Sequence, residues 1–245
     1  VAVVGASRSR DKVGHALVRN LVRGGFTGPV YAVNPDATAV SGVPAYPTVR
    51  DVPGEVDLAL VAVPADAVAD VVLDCAARGV KGLVVVSAGF AETGPDGREP
   101  QGELVRIARS HGMRVVGPNC LGIVNTDPAY SLNASMAPVV PPPGRVGFFS
   151  QSGALGIAIL EAVAARGLGL STFVSAGNRA DVSGNDLLQY WYDDPATEVV
   201  LLYLESLGNP RKFARLARMV AAEKPVVAVK SGRSTQGVPL GHTVR

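Results

Sequence analysis

Short apolar runs alternate with segments of helical periodicity along the whole chain, and this alternation constrains the fold more than any other feature. In the first half the runs predict strands at Val1–Val4, Val30–Val33, Leu58–Val63, Leu83–Ser87 and Arg114–Val116. Strands joined by helices form right-handed βαβ units in one parallel sheet. Hydrophobic residues make up 47% of the chain and aromatic residues only 5%, which is typical of a Val-, Leu- and Ala-rich sheet covered on both faces.

The pattern restarts after a proline-rich segment. Met136–Gly144 contains four prolines in nine residues, which excludes helix and central strand and predicts a stiff, extended path between two domains. The residues that follow predict strands at 145–149, 170–175, 198–204 and 225–230, with helices at 152–167, about 184–192 and 209–223. We therefore predict an α/β chain, with a parallel-sheet domain at 1–137 and a flavodoxin-like doubly wound domain at 138–245.

Charge and cysteine content narrow the class of protein. The net charge is +2, from 23 basic and 21 acidic residues, and neither sign forms a block, so nucleic acid and membrane surfaces are not expected partners. No apolar run approaches the roughly 18 residues of a membrane span. Cys75 and Cys120 are too few for a disulfide framework, and no Cys/His spacing suits zinc, so we expect a cytoplasmic protein without a metal site. Because Val1 already lies in a predicted strand, we expect a piece of a larger polypeptide.

The first predicted strand runs into a nucleotide-type βα turn at Gly5-Ala6-Ser7. A dinucleotide fold needs a glycine pattern at this turn and an acidic residue after the second strand. Only Gly5 is present in the turn, and the second strand ends in Asn34-Pro35 with Asp36 beyond it. The sequence therefore argues against NAD as the ligand without excluding it. The neighbouring cations Arg8, Arg10 and Lys12 suit a ligand with several phosphates, and equally a solvated loop.

The other predicted strands of the first half also end in small or turn-forming residues. Ligands of parallel sheets bind beyond the carboxyl ends of the strands, and small residues there let a ligand approach the backbone. Cys120 has no histidine or other base near it in sequence, which argues against a nucleophile. These strand ends are Val63-Pro64, Ser87-Ala88-Gly89-Phe90 and Gly117-Pro118-Asn119-Cys120.

A second candidate site lies where the strand that begins at Arg145 gives way to a helix near Ser150. Free backbone N–H groups and the helix dipole at such a terminus favour a phosphate or carboxylate. The alternative is that Ser150 or Ser152 only caps the helix. The residues of this stretch alone leave both interpretations open.

Two further residues share the carboxyl edge of the second predicted sheet. Glu205 directly follows the apolar strand 199–204, where it either serves a site or caps the next helix. His242 lies in the Gly-, Ser- and Pro-bearing segment 231–245, where a histidine is either solvated surface or catalytic. A helix terminus, a carboxylate and an imidazole on one edge form a phosphoryl-transfer constellation, which favours the anion site over a simple cap.

Eight short motifs in order carry a family resemblance over nearly the whole chain. The chain resembles the NDP-forming acyl-CoA synthetases, which include the alpha part of succinyl-CoA synthetase and ADP-forming acetyl-CoA synthetase. The motifs are Val-Gly-Ala-Ser at 4–7, Ala-Val-Asn-Pro at 32–35, Ser-Ala-Gly-Phe-Ala-Glu at 87–92, Gly-Pro-Asn-Cys-Leu-Gly at 117–122, Ser-Gln-Ser-Gly-Ala at 150–154, Gly-Asn-Arg-Ala-Asp-Val at 177–182, Tyr-Leu-Glu at 203–205 and Gly-His-Thr at 241–243.

The resemblance implies a Rossmann-like first domain that binds coenzyme A or acetyl-CoA, with the phosphates of CoA near Ser7 and Arg8. It also implies that the thiol end of CoA meets the second domain. The implied cofactor-binding residues are Gly5, Ala6, Ser7, Arg8, Asn34, Pro35, Val63, Pro64, Ser87, Ala88, Gly89, Asn119 and Cys120.

The resemblance further implies that His242 becomes a phosphohistidine, that Glu205 orients its ring, and that Ser150, Gln151, Ser152, Gly153 and Ala154 hold the phosphoryl group. The reaction implied is acyl-CoA, phosphate and ADP giving acid, CoA and ATP. ATP, ADP and Mg²⁺ would bind a separate ATP-grasp domain or subunit, and we expect a homo-oligomer.

One departure from the family pattern supports an alternative function. The family's active loop commonly reads Ser-His-Thr-Gly-Ala, whereas this chain has Gly241 before the histidine and Val244-Arg245 after His242 and Thr243. Related domains also occur fused to GNAT protein acyltransferases. The alternative is therefore a non-catalytic acyl-CoA-sensing domain of such an acetyltransferase.

Overall fold

The computed structural model describes residues 1–231, which form two sheets flanked by helices. The first sheet has seven strands in the order β3-β4-β2-β1-β5-β6-β7. From β4 to β7 all pairs are parallel, and only β3 is antiparallel to its neighbour β4. The strands are β1 Ala2–Val4, β2 Tyr31–Val33, β3 Ala39–Val40, β4 Val43–Tyr46, β5 Leu58–Val61, β6 Gly82–Val85 and β7 Arg114–Val116.

Three helices cover the first sheet because each has an apolar face that packs against it. Leu17, Val18 and Leu21 of α1 are fully buried on one face of the sheet. Residues of α2 and α3 pack together on the other face. Leaving β3 aside, the strand order is that of a dinucleotide-binding sheet, which confirms the predicted Rossmann-like unit. The helices are α1 Val13–Arg23, α2 Val68–Ala77 and α3 Arg98–Ser110.

The second sheet has six strands in the order β13-β12-β10-β11-β8-β9. Its four parallel strands, β10 to β13, follow the flavodoxin-like order 2-1-3-4, which confirms the predicted class. The strands are β8 Gly122–Asn125, β9 Leu132–Ser135, β10 Pro143–Ser150, β11 Leu170–Ser175, β12 Val199–Leu204 and β13 Val226–Lys230, and the helices are α4 Gly153–Ala165, α5 Gly184–Asp193 and α6 Pro210–Ala221.

The antiparallel hairpin β8–β9 was not predicted, and it changes the role of the proline-rich segment. β8 pairs with β11 of the second sheet, so the sheets change before residue 122. The proline-rich residues 136–142 connect β9 to β10 of one sheet, and the expectation that they run between two domains is wrong. The division of the chain at 137/138 stays a prediction.

The hairpin also packs on the first sheet. Ala134 of β9 is fully buried against α1, and Asn20 Nδ2 of that helix donates to the carbonyl oxygens of Ser135 and Ala137 at 2.8 and 3.1 Å. The same hairpin therefore extends one sheet and covers the other, which fixes the two carboxyl edges relative to each other. Within residues 1–231, no helix is long and apolar enough to cross a membrane.

Candidate functional site

The β1–α1 turn is held in shape by the end of β2. The N–H groups of Gly5 and Ala6 both donate to Val33 O, at 3.0 and 3.2 Å. Asn34 Nδ2 donates to Ala6 O at 2.6 Å, so the residue found in place of the expected acidic one positions the turn. His15 Nδ1 lies 3.0 Å from Ser7 O and ties the turn to the first helical turn of α1.

Gly14, which was not predicted as a site residue, brings α1 against this turn. A Cβ on Gly14 would lie 1.9 Å from Gly5 O, so only glycine permits the observed approach of helix to strand. This is the packing function that the third glycine serves in dinucleotide folds. Its position on the buried side of α1 was the available signal.

Replacing Gly14 with alanine is expected to lower the free energy of unfolding by about 1–3 kcal/mol, because the added methyl group forces α1 away from the turn. Urea unfolding measures this change. The matched control is Gly102→Ala in α3, where the added Cβ meets nothing within 4 Å and stability should rise by up to about 1 kcal/mol. Equal effects of the two substitutions would contradict the packing role of Gly14.

Three cations surround the turn. Arg8, Arg10 and Lys12 are exposed, and their side chains make no ion pair or hydrogen bond within residues 1–231. They are therefore available to a polyanionic ligand, and the same geometry suits a solvated loop, so both interpretations of the sequence stay open.

The remaining predicted cofactor residues of the first domain follow the neighbouring strands. Val63 and Pro64 come after β5, and Ser87, Ala88 and Gly89 come after β6. Ser87 Oγ donates to Val63 O at 2.5 Å, which joins the two strand ends. Because the strands are parallel neighbours, these residues lie on one carboxyl edge with Gly5, Ala6, Ser7, Arg8, Asn34 and Pro35.

A cavity of about 370 Å³ opens where the carboxyl edges of the two sheets face each other. It brings together predicted residues from both domains, with Asn119 and Cys120 on one side and Gln151, Gly153, Ala154 and Glu205 on the other. The other residues predicted to bind ligand do not line it. The complete lining is Val86, Asn119, Cys120, Leu121, Met136, Gln151, Gly153, Ala154, Ile157, Gly177, Asn178 and Glu205.

The start of α4 has a capping serine and also free backbone donors, the two features that the sequence offered as alternatives. Ser152 is the N-cap, and its Oγ accepts from Leu155 N at 3.4 Å. Ser150 Oγ is buried and donates to Ser152 O at 2.7 Å. The N–H groups of Gly153 and Ala154 have no acceptor in the described part of the chain and border the cavity. The capped terminus thus retains two donors for an anion.

The side chain of Gln151, which is predicted to help hold the phosphoryl group, also orders the neighbouring turn. Its Oε1 accepts from Glu205 N at 2.7 Å and from Ser206 N at 2.9 Å, while its Nε2 donates to Ser206 O at 2.8 Å. Its own N–H donates to Tyr203 O at 3.2 Å. These bonds fix the turn after β12 and use one of the two N–H groups of Nε2, so the phosphate contact of Gln151 stays a prediction.

Glu205 is half-buried at the carboxyl end of β12 and lines the cavity. Burial raises the pKa of its carboxyl group above the ordinary value, and the positive charges of Arg179 and Lys230 oppose that rise. Ser231 N donates to Leu204 O at 2.9 Å, so the last described residue lies beside Glu205. His242 lies outside the described residues.

Cys120 lines the cavity without the properties of a nucleophile. Its Sγ donates to Val85 O at 3.2 Å. Burial raises the pKa of the thiol to about 12, so the group stays protonated near neutral pH. The thiolate is the reactive form of cysteine, which agrees with the argument from sequence.

The fold and the site together define a class of protein: two doubly wound sheets whose facing carboxyl edges form one cavity, lined by apolar and polar residues, with a free helix terminus and a carboxylate. Residues 1–126 match the family model of a CoA binding domain, and residues 143–244 match that of a succinyl-CoA ligase like flavodoxin domain. The chain belongs to the NDP-forming acyl-CoA synthetase family, which confirms the resemblance found in the sequence.

Individual relatives agree with this assignment. The chain is 46% identical over 237 residues to acetate–CoA ligase [ADP-forming] I of Archaeoglobus fulgidus, covering 97% of this chain and 34% of that protein. It is 30% identical over 211 residues to succinate–CoA ligase [ADP-forming] subunit alpha 2 of the same organism, covering 84% of this chain and 70% of that subunit.

A solved structure also matches. The dinucleotide forming acetyl-coenzyme A synthetase 1 of Ca. Korarchaeum cryptofilum, in complex with phosphate and ADP, has a TM-score of 0.88 and 44% identity, covering 95% of this chain and 50% of that one. The chain spans about a third to a half of the acetate–CoA ligases that it matches.

Proposed function

We propose that this chain is the CoA-binding and acyl-transferring part of an ADP-forming acyl-CoA synthetase, which converts acyl-CoA, phosphate and ADP to acid, CoA and ATP. The observation that carries the proposal is the cavity that brings Gly153, Ala154 and Glu205 against Asn119 at the edge of the first sheet. The relatives reported above are named as ADP-forming ligases or synthetases, which favours this function over an acyl-CoA-sensing domain of an acetyltransferase.

In this proposal the first domain binds CoA along its carboxyl edge. Arg8 and its neighbouring cations face the phosphates, and the thioester reaches the cavity past Asn119. The acyl group packs against the apolar part of the lining, formed by Val86, Leu121 and Met136. Small and turn-forming residues along the edge allow the close approach that such a path requires.

In this proposal the residues of the second domain carry out the phosphoryl-transfer steps. Hydrogen phosphate held by Gly153 N–H and Ala154 N–H attacks the acyl carbon and the C–S bond breaks. The proton of hydrogen phosphate passes to the departing sulfur, so that CoA leaves as the thiol. A neutral imidazole nitrogen of His242 then attacks phosphorus and releases the carboxylate of the acid. Glu205 accepts the N–H of the other ring nitrogen, which fixes the tautomer and stabilises the imidazolium charge.

The last step needs a partner. The phosphoryl group passes from His242 to ADP, which we propose binds with Mg²⁺ to an ATP-grasp domain or subunit. The relatives are longer than this chain, and some are named as alpha subunits, which supports a partner of this kind. A homo-oligomer and a cytoplasmic location stay predictions, the latter supported by two free cysteines.

Calorimetry with acetyl-CoA and with NAD tests the ligand class. We expect acetyl-CoA to bind more tightly, because the turn offers three free cations and lacks the acidic residue that holds the ribose of NAD. Tighter binding of NAD would overturn the assignment of the first domain.

Arg8→Ala is expected to weaken CoA binding about three- to ten-fold at low salt, the effect of losing one exposed charge-assisted contact. The loss should shrink at high salt, since exposed charges are screened. Calorimetry at two salt concentrations measures both effects, and Arg166→Ala beyond the end of α4 is the control. If affinity is unchanged, the phosphates bind elsewhere.

A further inference from the structure

The connection between β11 and α5, residues 176–183, joins the two domains. The N–H groups of Asn178, Ala180 and Val182 donate in turn to Pro118 O, Gly117 O and Val115 O, at 2.9, 3.0 and 3.0 Å. A Cβ on Gly177 would lie 2.2 Å from Asn119 O. The connection therefore lies on the β7–β8 segment of the first domain along its whole length.

Asp181 anchors this connection to the first domain. Its side chain is fully buried, and its oxygens accept from Arg109 Nε at 3.0 Å, from Arg114 Nε at 2.9 Å and from Val115 N at 2.8 Å. Asn178 adds a bond from Nδ2 to Gln101 Oε1 at 2.9 Å. The backbone around Arg179 is thus fixed on both sides.

The side chain of Arg179 extends in the opposite direction, towards the second domain. Its NH1 donates to Ser206 O and its NH2 to Ser206 Oγ, both at 2.7 Å. Its guanidinium lies 3.7 Å from the position of a Cβ on Gly208. Gln151 Nε2 donates to the same carbonyl oxygen, so two side chains hold Ser206. Ser206 directly follows Glu205 in the chain.

The guanidinium is also one of the cations that act on Glu205. The charged groups that act on this carboxyl are Arg179 from the β11–α5 connection and Lys230 at the end of β13. Burial lowers the pKa of Arg179 and the charge of Glu205 opposes that change, but an arginine remains protonated in proteins. A fixed positive charge is therefore bound to Ser206, the residue that follows Glu205.

We propose that Arg179 is a positioning residue for the phosphoryl-transfer step: from its anchored connection its guanidinium holds Ser206 and so fixes the turn that carries Glu205. The proposal rests on the proposed function, in which Glu205 must accept an N–H of His242. An ionised carboxylate can only accept, whereas a protonated one presents a competing donor. Arg179 thus couples the CoA-binding domain to the geometry of the phosphoryl site.

The proposal distinguishes arginine from lysine at this position. The planar guanidinium makes two bonds to one residue, whereas an ammonium is a point charge on a flexible stem. Arg179→Lys should keep much of the charge effect and lose the fixed turn. Arg179→Met should lose both and keep most of the apolar volume.

The test uses the full-length native protein carrying Arg179→Met or Arg179→Lys, with Arg145→Met as control, since Arg145 pairs with Glu198 on the surface. The rate of His242 phosphorylation is measured as a function of pH, and the titration of the Glu205 carboxyl group is followed by ¹³C NMR. We expect Arg179→Met to slow phosphorylation about ten- to hundred-fold, the effect of losing a charge-assisted hydrogen bond. The acidic limb of the pH–rate profile of Arg179→Met should move to higher pH, because the Glu205 carboxyl group loses a neighbouring cation and its pKa rises further.

Arg179→Lys should restore the pH profile towards wild type while the rate stays low, and acetyl-CoA affinity should not change in either variant. A folded Arg179→Met or Arg179→Lys protein with the rate, pH profile and Glu205 titration of wild type would overturn the proposal. If the wild-type protein itself carries no phosphate on His242, the proposed function fails. The titration of Glu205 needs no turnover. In that case it alone tests whether Arg179 acts on Glu205.

Discussion

Alanine in place of Asp181 is expected to lower the free energy of unfolding by about 2–4 kcal/mol, because the substitution removes the buried acceptor of two arginines and of Val115 N–H. Arg109 and Arg114 are each more than half exposed and can regain water, so the effect falls short of that for a fully buried pair. Urea unfolding of the two proteins measures the difference.

The effect of Asp181→Ala should depend on pH. Burial alone would raise the pKa of Asp181, but the bonds from Arg114, Val115 N–H and Arg109 outweigh it, and the pKa lies below the ordinary value. A carboxyl group with a lowered pKa stabilises the fold above its unfolded pKa, and this contribution disappears as pH falls through the folded value. The difference between the two proteins should therefore be constant near pH 7 and shrink below about pH 4.

The control for Asp181 is Glu198→Ala, which breaks an exposed pair with Arg145. Exposed ion pairs contribute little, and stability should change by no more than about 1 kcal/mol. If both substitutions cost the same, or if the cost of Asp181→Ala does not depend on pH, then Asp181 does not anchor the β11–α5 connection.

Glutamine in place of Glu205 is expected to slow phosphorylation of His242 by a factor between about a hundred and ten thousand, the range seen when a carboxylate that orients a catalytic imidazole becomes an amide. Glutamine matches the size of glutamate but cannot stabilise the positive ring. Transfer of ³²P from ATP to the full-length protein measures the rate.

Acetyl-CoA affinity should be unchanged in Glu205→Gln, because the proposed function places the phosphates of CoA at the other sheet. Glu223→Gln is the control: Glu223 lies outside the cavity and accepts from Tyr192 OH at 2.7 Å. A wild-type rate in Glu205→Gln would remove Glu205 from the phosphoryl site.

Periodicity predicted most of the helices and long strands because their residues are selected for burial along one face. The three helices of the second half and the parallel strands β10 to β13 occur within a few residues of the predicted bounds. The strands that were missed, β3, β4, β8 and β9, have two to four residues and, unlike the equally short β1 and β2, lie in no continuous buried apolar run. β4 contains Pro44 and β9 contains Asn133, which further conceal the pattern.

The candidate site was predictable where it depends on strand ends and not where it depends on distant contacts. Parallel strands place Glu205 beside the start of α4, and this follows from topology alone. Asp181 and Arg109, by contrast, are 72 residues apart in sequence, and no local pattern relates them. Gln151 was assigned by its position in a motif, whereas its contacts with Ser206 depend on how the turn after β12 packs.

Mass spectrometry of the full-length protein after incubation with ATP, Mg²⁺ and the ATP-grasp part tests whether His242 carries the phosphoryl group. We expect one phosphate on His242 of the wild-type protein and none after His242→Asn. A folded protein that binds acetyl-CoA but carries no phosphate on His242 would contradict the proposed function.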